Sequence, residues 1–419
     1  MTAGSDRDPF PSNGFRRFWA AGAVSSLGTY ITLLALQTLV VVDLGGGATT
    51  VGWVNSARWL PYLVLGLVVG ALVDRRPRRP VLIASDLAQA VLLAVIPVTW
   101  AVGGLSLPVV LGVVMAYGTV SLVEGAASMS FLPRLVDRRD LQRAHVRVDG
   151  ADAVAQNAGP ALGGLLVTLV GAPFAVLADA ATYLFSAVMT ATVRVDEPAV
   201  ARGGARRHLR REVAEGLRWI YRGSSLGRLA VSTHVWFVGN AVIGVVVAPF
   251  ALLRLGLSPF QLGLAGSAAG VGALLGTAAS TPGGRRWGTG AAVVAGHAVS
   301  AVGAVVMLLA GIGTSGWAAW AVLALGQGLH GAAIGFTNSH EMAYRQTITP
   351  DALQGRTNTT LRSLNRAVIV VVAPLAGALA DAAGVRTAFA VAAVAFAVAC
   401  LLLAASPFRR VRLDDSHAG

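Results

Sequence analysis

Four runs of polar and ionisable side chains recur at helical spacing inside otherwise apolar stretches of this chain. Tyr117, Ser121, Glu124 and Ser128 follow one another at steps of four, three and four, which places them on one helix face with a carboxylate at its middle. Asp149, Asp152 and Gln156 form a second stripe that leads to Gly159, with Asp149 near the mouth of its apolar run. Gln327, His330, Asn338 and Glu341 share a third face, and Asn358, Arg362, Asn365 and Arg366 a fourth. A carboxylate in such a place can exchange a proton or hold a cation, a histidine can relay a proton near neutral pH, and an arginine can pair with an acid. Glu124, Asp149, Asp152 and His330 are the proton-coupling candidates. Each of these readings has a plainer counterpart: Glu124 as the structural partner of an arginine, His330 as a hydrogen-bonded core histidine. Arg58, Asp86 and Asp179 fit structural charge pairing better than contact with a substrate.

The surroundings make these residues costly. Of 419 residues, 55% are hydrophobic and 13% charged, a composition for which the bilayer must be the solvent. An ionised group at the bilayer centre costs about 2.5 to 3.5 kcal/mol, so each one needs a reason. All 33 basic residues are arginines. Without lysine there is no phosphate-binding Walker loop and no Schiff base. The net charge of +13 comes from short arginine clusters between apolar runs, which points to membrane topology rather than nucleic acid. Cys400 is the single cysteine, so no intrachain disulfide or cysteine metal cage is expected. The histidines lie on separate runs without metal-ligand spacing, and the expectation is no metal, no cofactor and no enzyme. Gly223 to Gly227 matches a nucleophile elbow and Gly311 to Gly316 a dinucleotide fingerprint, but neither follows a strand, and both are taken as chance.

A spanning helix needs roughly 20 apolar residues. In those units spans are expected at Phe18 to Val42, Val51 to Val73, Pro80 to Val102, Leu107 to Leu132, Leu141 to Val170 and Pro173 to Val193. A second set is expected at Leu226 to Leu252, Phe260 to Pro282, Thr289 to Ile312, Trp317 to Met342, Leu353 to Asp381 and Val385 to Ser406. The expected fold is therefore an all-α membrane protein of twelve transmembrane helices in two pseudo-symmetric six-helix bundles, residues 1–195 and 226–419. An arginine-rich linker, 196–225, carries an amphipathic helix from His208 to Tyr221 that would tether the bundles and rest on the membrane surface. Arginines fall before the first span and in alternate loops, which places both termini in the cytoplasm. Met1 to Asn13 has no basic leader region, so the first span is expected to be retained.

Two stretches repeat. Pro133 and Leu141 lead to Gly159-Pro160-Ala161-Leu162-Gly163-Gly164, and Pro350 and Leu353 lead to Ala373-Pro374-Leu375-Ala376-Gly377-Ala378. Gly70 to Arg79, with Asp74, Arg75, Arg78 and Arg79, is echoed by Gly276 to Arg286, where the acid is lost and the basic pair kept. This is a parallel repeat of six spans. The glycine, the aspartate four residues on and the arginines after it resemble the major facilitator superfamily over essentially the whole chain. Gly159-Pro160 with Gly163-Gly164 resembles the fifth-helix motif of its drug-proton antiporters. Arg345 to Pro350, continuing to Gly355-Arg356, is similar to the branch of enterobactin exporters and macrolide efflux proteins.

The resemblance implies a conformational motif of Gly70, Asp74, Arg75, Arg78, Arg79, Gly159, Pro160, Gly163 and Gly164, its glycines serving close packing or a hinge. On the helices that line the family's cavity, it implies Tyr30, Gln37, Trp236 and Asn240 as substrate contacts, beside Tyr117, Gln156, Gln327, Asn338, Asn365 and Arg366. The implied function is export of an amphipathic drug, siderophore or natural product from a bacterial cytoplasmic (inner) membrane, by proton antiport and alternating access. Its partners would be the small-molecule substrate, protons and the lipid bilayer, and the protein would act as a monomer. Import by symport is the alternative, and a membrane sensor a more distant one. An ion pair across the two halves would make an inner gate.

Overall fold

The computed structural model describes residues 12–73, 76–195, 209–223 and 226–413; Asp74 and Arg75 of the loop motif, and the surroundings of Gly70, fall outside that description. Among the described residues the chain is helical, with no strand. A bilayer offers no water to unpaired backbone groups, so long apolar runs close their hydrogen bonds within helices. Eleven described helices are long and apolar enough to cross a membrane. They are α1 (Asn13–Thr38), α3 (Arg78–Ala101), α4 (Leu107–Phe131), α5 (Leu141–Val170), α6 (Ala172–Ala191), α8 (Leu226–Pro249), α9 (Pro259–Trp287), α10 (Thr289–Leu309), α11 (Gly316–Ile348), α12 (Asp351–Ala383) and α13 (Val385–Ala404). The expected second span coincides with α2 (Ala48–Val73), a helix of 26 residues. Boundaries match the expected spans closely, α11 running past Met342 to Ile348 and α9 past Pro282 to Trp287.

Helix ends follow from local chemistry. The Ser12 side chain accepts from the Phe15 N–H at 3.0 Å and starts α1. Ser258 and Gln261 form a reciprocal capping box around Pro259 and start α9. The repeat read from sequence reappears in backbone geometry. Both α1 and α8 close in a π-helical turn, Leu39–Asp43 and Phe250–Arg254, each followed by a glycine at φ near +60°, Gly45 and Gly256. Likewise α5 and α12 each end at a left-handed glycine, Gly171 (φ 84) and Gly384 (φ 91), that turns straight into the next helix.

Before the linker, α1 packs on α5 and α6, α3 on α4 and α6, and α2 on α4; after it, α8 packs on α12 and α13, α10 on α11 and α13, and α9 on α11. The two groups meet along α2–α12 and α5–α9. Linker helix α7 (Leu209–Arg218) lies against α12: Glu215 pairs with Arg356 at 2.5 Å, and Gly216 sits against Thr360.

Candidate functional site

The two helix groups meet on one side of the bundle's middle. Asp381, near the end of α12, accepts from the first backbone N–H groups of α2, Ala48 and Thr49, both at 2.9 Å. A carboxylate there satisfies orphan donors and complements the positive helix end. Behind it, Gly52 faces the Ala373 carbonyl and Gly377 the Ala48 carbonyl so closely that no side chain fits, and Ser56 Oγ donates to the Val370 carbonyl at 2.7 Å. On the second seam Gly164 meets the Pro259 backbone, Gly263 the Pro160 carbonyl, and Ser267 donates to the Asn157 carbonyl at 2.5 Å. Gly159 and Gly163 of the same helix accept Tyr30 and the Ile31 backbone of α1. The Gly159-Pro160-Gly163-Gly164 motif therefore packs α5 between α1 and α9, which favours close approach over a hinge.

All these contacts lie between the middle of the bundle and the face remote from Asn13 and Leu413. Toward the other face, polar side chains of both helix groups come to the surface. Asp149, Asp152 and Gln156 of α5, Asn338 of α11 and Arg362 of α12 are exposed there, although they stand on membrane-length helices. Charged side chains in that position face a watery cleft rather than lipid. Tyr30 Oη donates to Asp152 Oδ2 at 3.4 Å on its wall. At the head of the cleft Arg366, midway along α12, lies over the rings of Tyr62 (4.2 Å) and Trp59 (5.2 Å) of α2. The cross-half contact expected as an ion pair is thus a cation–π stack.

Beneath the cleft each helix group holds a polar nest. In the first, Glu124 is half-buried on α4 and within reach of Gln89, which also donates to Ser121 at 3.3 Å. Asp86 (2% exposed) and Asp179 (0%) lie within electrostatic reach of Glu124, and Asp179 Oδ1 lies 3.0 Å from the Thr182 hydroxyl. Arg58 acts on Asp179 from α2, but among the described residues neither Asp86 nor Glu124 has an arginine within ion-pair distance, so the structural charge pairing expected of Asp86 is not made. Tyr117 turns into this nest instead of the cleft: it is buried, its hydroxyl 2.6 Å from that of Tyr183, which lies 3.0 Å from Thr29.

In the second nest Trp236 donates to Ser300 at 3.1 Å and stacks on His330 (5.6 Å between ring centres, 16° between planes) and on His297. His330 is buried, and its Nε2 lies 3.2 Å from Asn240 Oδ1. His297 lies 3.5 Å from Glu341, whose second oxygen accepts from Thr233 at 3.3 Å. Asn365 accepts from His234 Nδ1 at 2.7 Å, and Tyr221 of the linker meets His234 Nε2 at 2.5 Å. Burial raises the Tyr221 hydroxyl above its ordinary pKa, so it is the donor to His234. Gln37 and Gln327 are half-buried on α1 and α11. At the face carrying Asn13, Arg17 donates to the Thr192 carbonyl at 2.6 Å and Arg79 to that of Thr190 at 3.3 Å, both lining a recess of about 820 Å³. Arg78 is buried and donates to the Arg76 carbonyl at 3.1 Å.

A family model described as transmembrane secretion effector matches residues 5–418. The chain belongs to this family of major facilitator transporters. It is 28% identical over 357 residues to an uncharacterized MFS-type transporter, y4rN, of Sinorhizobium fredii, covering 81% of this chain and 82% of that one. It is 28% identical over 210 residues to the multidrug efflux pump Tap of Mycobacterium tuberculosis, covering 48% and 49%. Among solved structures, a bacterial homologue of the iron transporter ferroportin in its inward-facing state superimposes with a TM-score of 0.74, at 14% identity over 94% of this chain and 98% of that one. An outward-facing structure of such a homologue reaches 0.60, at 15% identity over 93% and 98%.

Sequence reasoning missed several parts of this transporter's site. Trp59 and Tyr62 carry no spacing signal that separates them from lipid-facing aromatics. Asp381 was legible only as the end of a span. His297 stands alone in an apolar run, with Ser300 three residues on as the one local hint.

Proposed function

We propose that this chain is a proton-coupled exporter of amphipathic small molecules that works by alternating access. The observation that carries the reading is the acid nest: Asp86 and Asp179 each within electrostatic reach of Glu124, with Arg58 the described cation acting on Asp179. Mutual repulsion and burial make proton uptake the economical route to neutrality, and the polar cleft gives those protons access. The closed seam at Asp381 and the better superposition on an inward-facing transporter support a state open on the face of the chain ends. On this reading that face is cytoplasmic, as the arginine distribution favours, and the protein works as a monomer of twelve spans in two halves in a bacterial inner membrane. A cleft with a guanidinium stacked on Tyr62 and Trp59 at one point and Asp152 at another suits substrates that combine rings with charge, in keeping with a relative that is a multidrug pump.

The test is efflux of a panel of dyes and antibiotics in inverted vesicles, with and without an imposed pH gradient. Wild type is expected to transport only with the gradient, and Glu124→Gln to lose at least tenfold of that rate. Gradient-independent transport, or an unaffected variant, overturns the coupling mechanism. Gradient-driven movement in the opposite sense makes the protein a symporter.

A further inference from the structure

We propose that His297 and Glu341 form a second proton-carrying site, in the helices after the linker. The inference rests on the exporter reading for its purpose but on hydrogen-bond geometry for its existence. Ser232 Oγ lies 2.8 Å from the Ala399 carbonyl, which can only accept, and 3.3 Å from His297 Nδ1. A hydroxyl has one proton. The shorter contact takes it, so Ser232 is the acceptor at His297, and Nδ1 carries a hydrogen. The other ring nitrogen, Nε2, faces Glu341 Oε1 at 3.5 Å. A neutral ring protonated at Nδ1 presents a bare lone pair there, and a carboxylate presents another. Two acceptors face each other without repulsion only when one proton lies between them, as imidazolium with carboxylate or imidazole with carboxylic acid. The remaining bonds suit both forms: Thr233 donates to Glu341 Oε2 at 3.3 Å, and Trp236 covers the imidazole face at 25°.

Access is one-sided. His297 is 1% exposed, whereas the Glu341 side chain keeps 19%, so protons enter and leave through the carboxyl. Both residues lie about two turns from the helix ends at the face where the cleft opens. Release passes the proton from the pair to cleft water and leaves neutral His297 beside a Glu341 carboxylate. The charged group within reach of that carboxylate is Arg345, one turn along α11, with Arg362 of α12 next to it. The other titratable groups of the packed helices are engaged elsewhere: His234 of α8 with Asn365 and Tyr221, Cys400 of α13 with the Val294 carbonyl, His330 of α11 with Asn240, His340 of α11 with the Ser280 backbone of α9. Arg285 and Arg286 of α9 and Arg409 and Arg410 beyond α13 are exposed at the bundle end.

The experiment is nitrogen-15 NMR of histidine-labelled, purified protein between pH 5 and 9, with the His297 signals assigned by their loss in His297→Gln. Wild type is expected to show Nδ1 protonated throughout and Nε2 passing from protonated or shared to bare. Glu341→Gln should hold the neutral Nδ1–H form over the whole range, because the glutamine amide donates to Nε2. Ser232→Ala should move the neutral proton to Nε2, a readout that survives if either pair variant fails to fold. A wild-type ring that is neutral with bare Nε2 across the range, or one that titrates alike in Glu341→Gln, overturns the site. So does an unchanged tautomer in Ser232→Ala. In vesicles, His297→Gln and Glu341→Gln should each lose at least tenfold of gradient-driven transport while keeping gradient-free counterflow. If wild type lacks gradient-driven transport, the exporter reading fails while the NMR result still decides the pair.

Discussion

Before the linker, Asp86 and Asp179 stand within electrostatic reach of Glu124 and one described guanidinium, Arg58, acts on Asp179, while after it Glu341 faces His297 and draws on Thr233. The first nest is short of positive charge and has to import it, as protons or as a cation. The second carries its own base. A group that gains its counter-charge only from outside responds to whatever occupies the cleft; a pair that shares an internal proton responds chiefly to pH. On the proposed reading, two helix groups built on one repeat divide the work, the first exchanging protons or other positive charge with the cleft and the second storing a proton.

The largest effect that sharpens this contrast is expected at Arg58. Arg58→Gln takes away the guanidinium that acts on Asp179, and a carboxylate left without that counter-charge among other acids in a membrane protein destabilises the fold. Thermal unfolding of the purified protein should show the loss, and Asp179→Asn added to it should recover most of the deficit, because the two changes act on one interaction. Equal and additive losses would mean that Arg58 serves packing alone, as its carbonyl does against Gly118. Smaller is the effect at the closed seam. Asp381→Asn removes an anionic cap from the first turn of α2, worth about 1 kcal/mol. That is roughly a fivefold shift toward the state open on the far face, at 1.36 kcal/mol per tenfold. Spin labels on either side of the α2–α12 seam should report it as a longer distance in a larger fraction of molecules.

Helix positions and the repeat were legible because the bilayer enforces them: apolar length, alternating arginine clusters and paired glycine motifs each leave a linear trace. The Gly159 to Gly164 motif was legible as small residues but not as a seam, since its partners Pro259 and Gly263 stand a hundred residues away. Glu124 was legible as the centre of a stripe, because periodicity reports a face. What the face looks at was not, and Tyr117, one step along the same stripe, turned inward to Tyr183. Helix rotation decides such cases, and rotation is set by contacts between segments that a single sequence does not pair. His297 and Asp381 escaped for the same reason, each being one polar residue in an apolar run until another helix supplies its partner.

The smallest effect tests whether the second nest divides its histidines. His330 touches Asn240 Oδ1 at 3.2 Å through Nε2 and stacks on Trp236, and its Nδ1 is buried without a partner. A ring that donates through one nitrogen and buries the other bare is neutral, and its work is packing. His330→Phe keeps the stack and gives up one hydrogen bond to a half-buried amide, so a stability loss under about 1 kcal/mol is expected. Tyr117→Phe in the first nest should cost about as much, by removing one hydroxyl from the Thr29–Tyr183–Tyr117 chain. Both variants should keep at least half of wild-type gradient-driven transport. Loss of coupling in His330→Phe would move the proton-carrying role from His297 to His330 and erase the distinction between a storing and a packing histidine under one tryptophan.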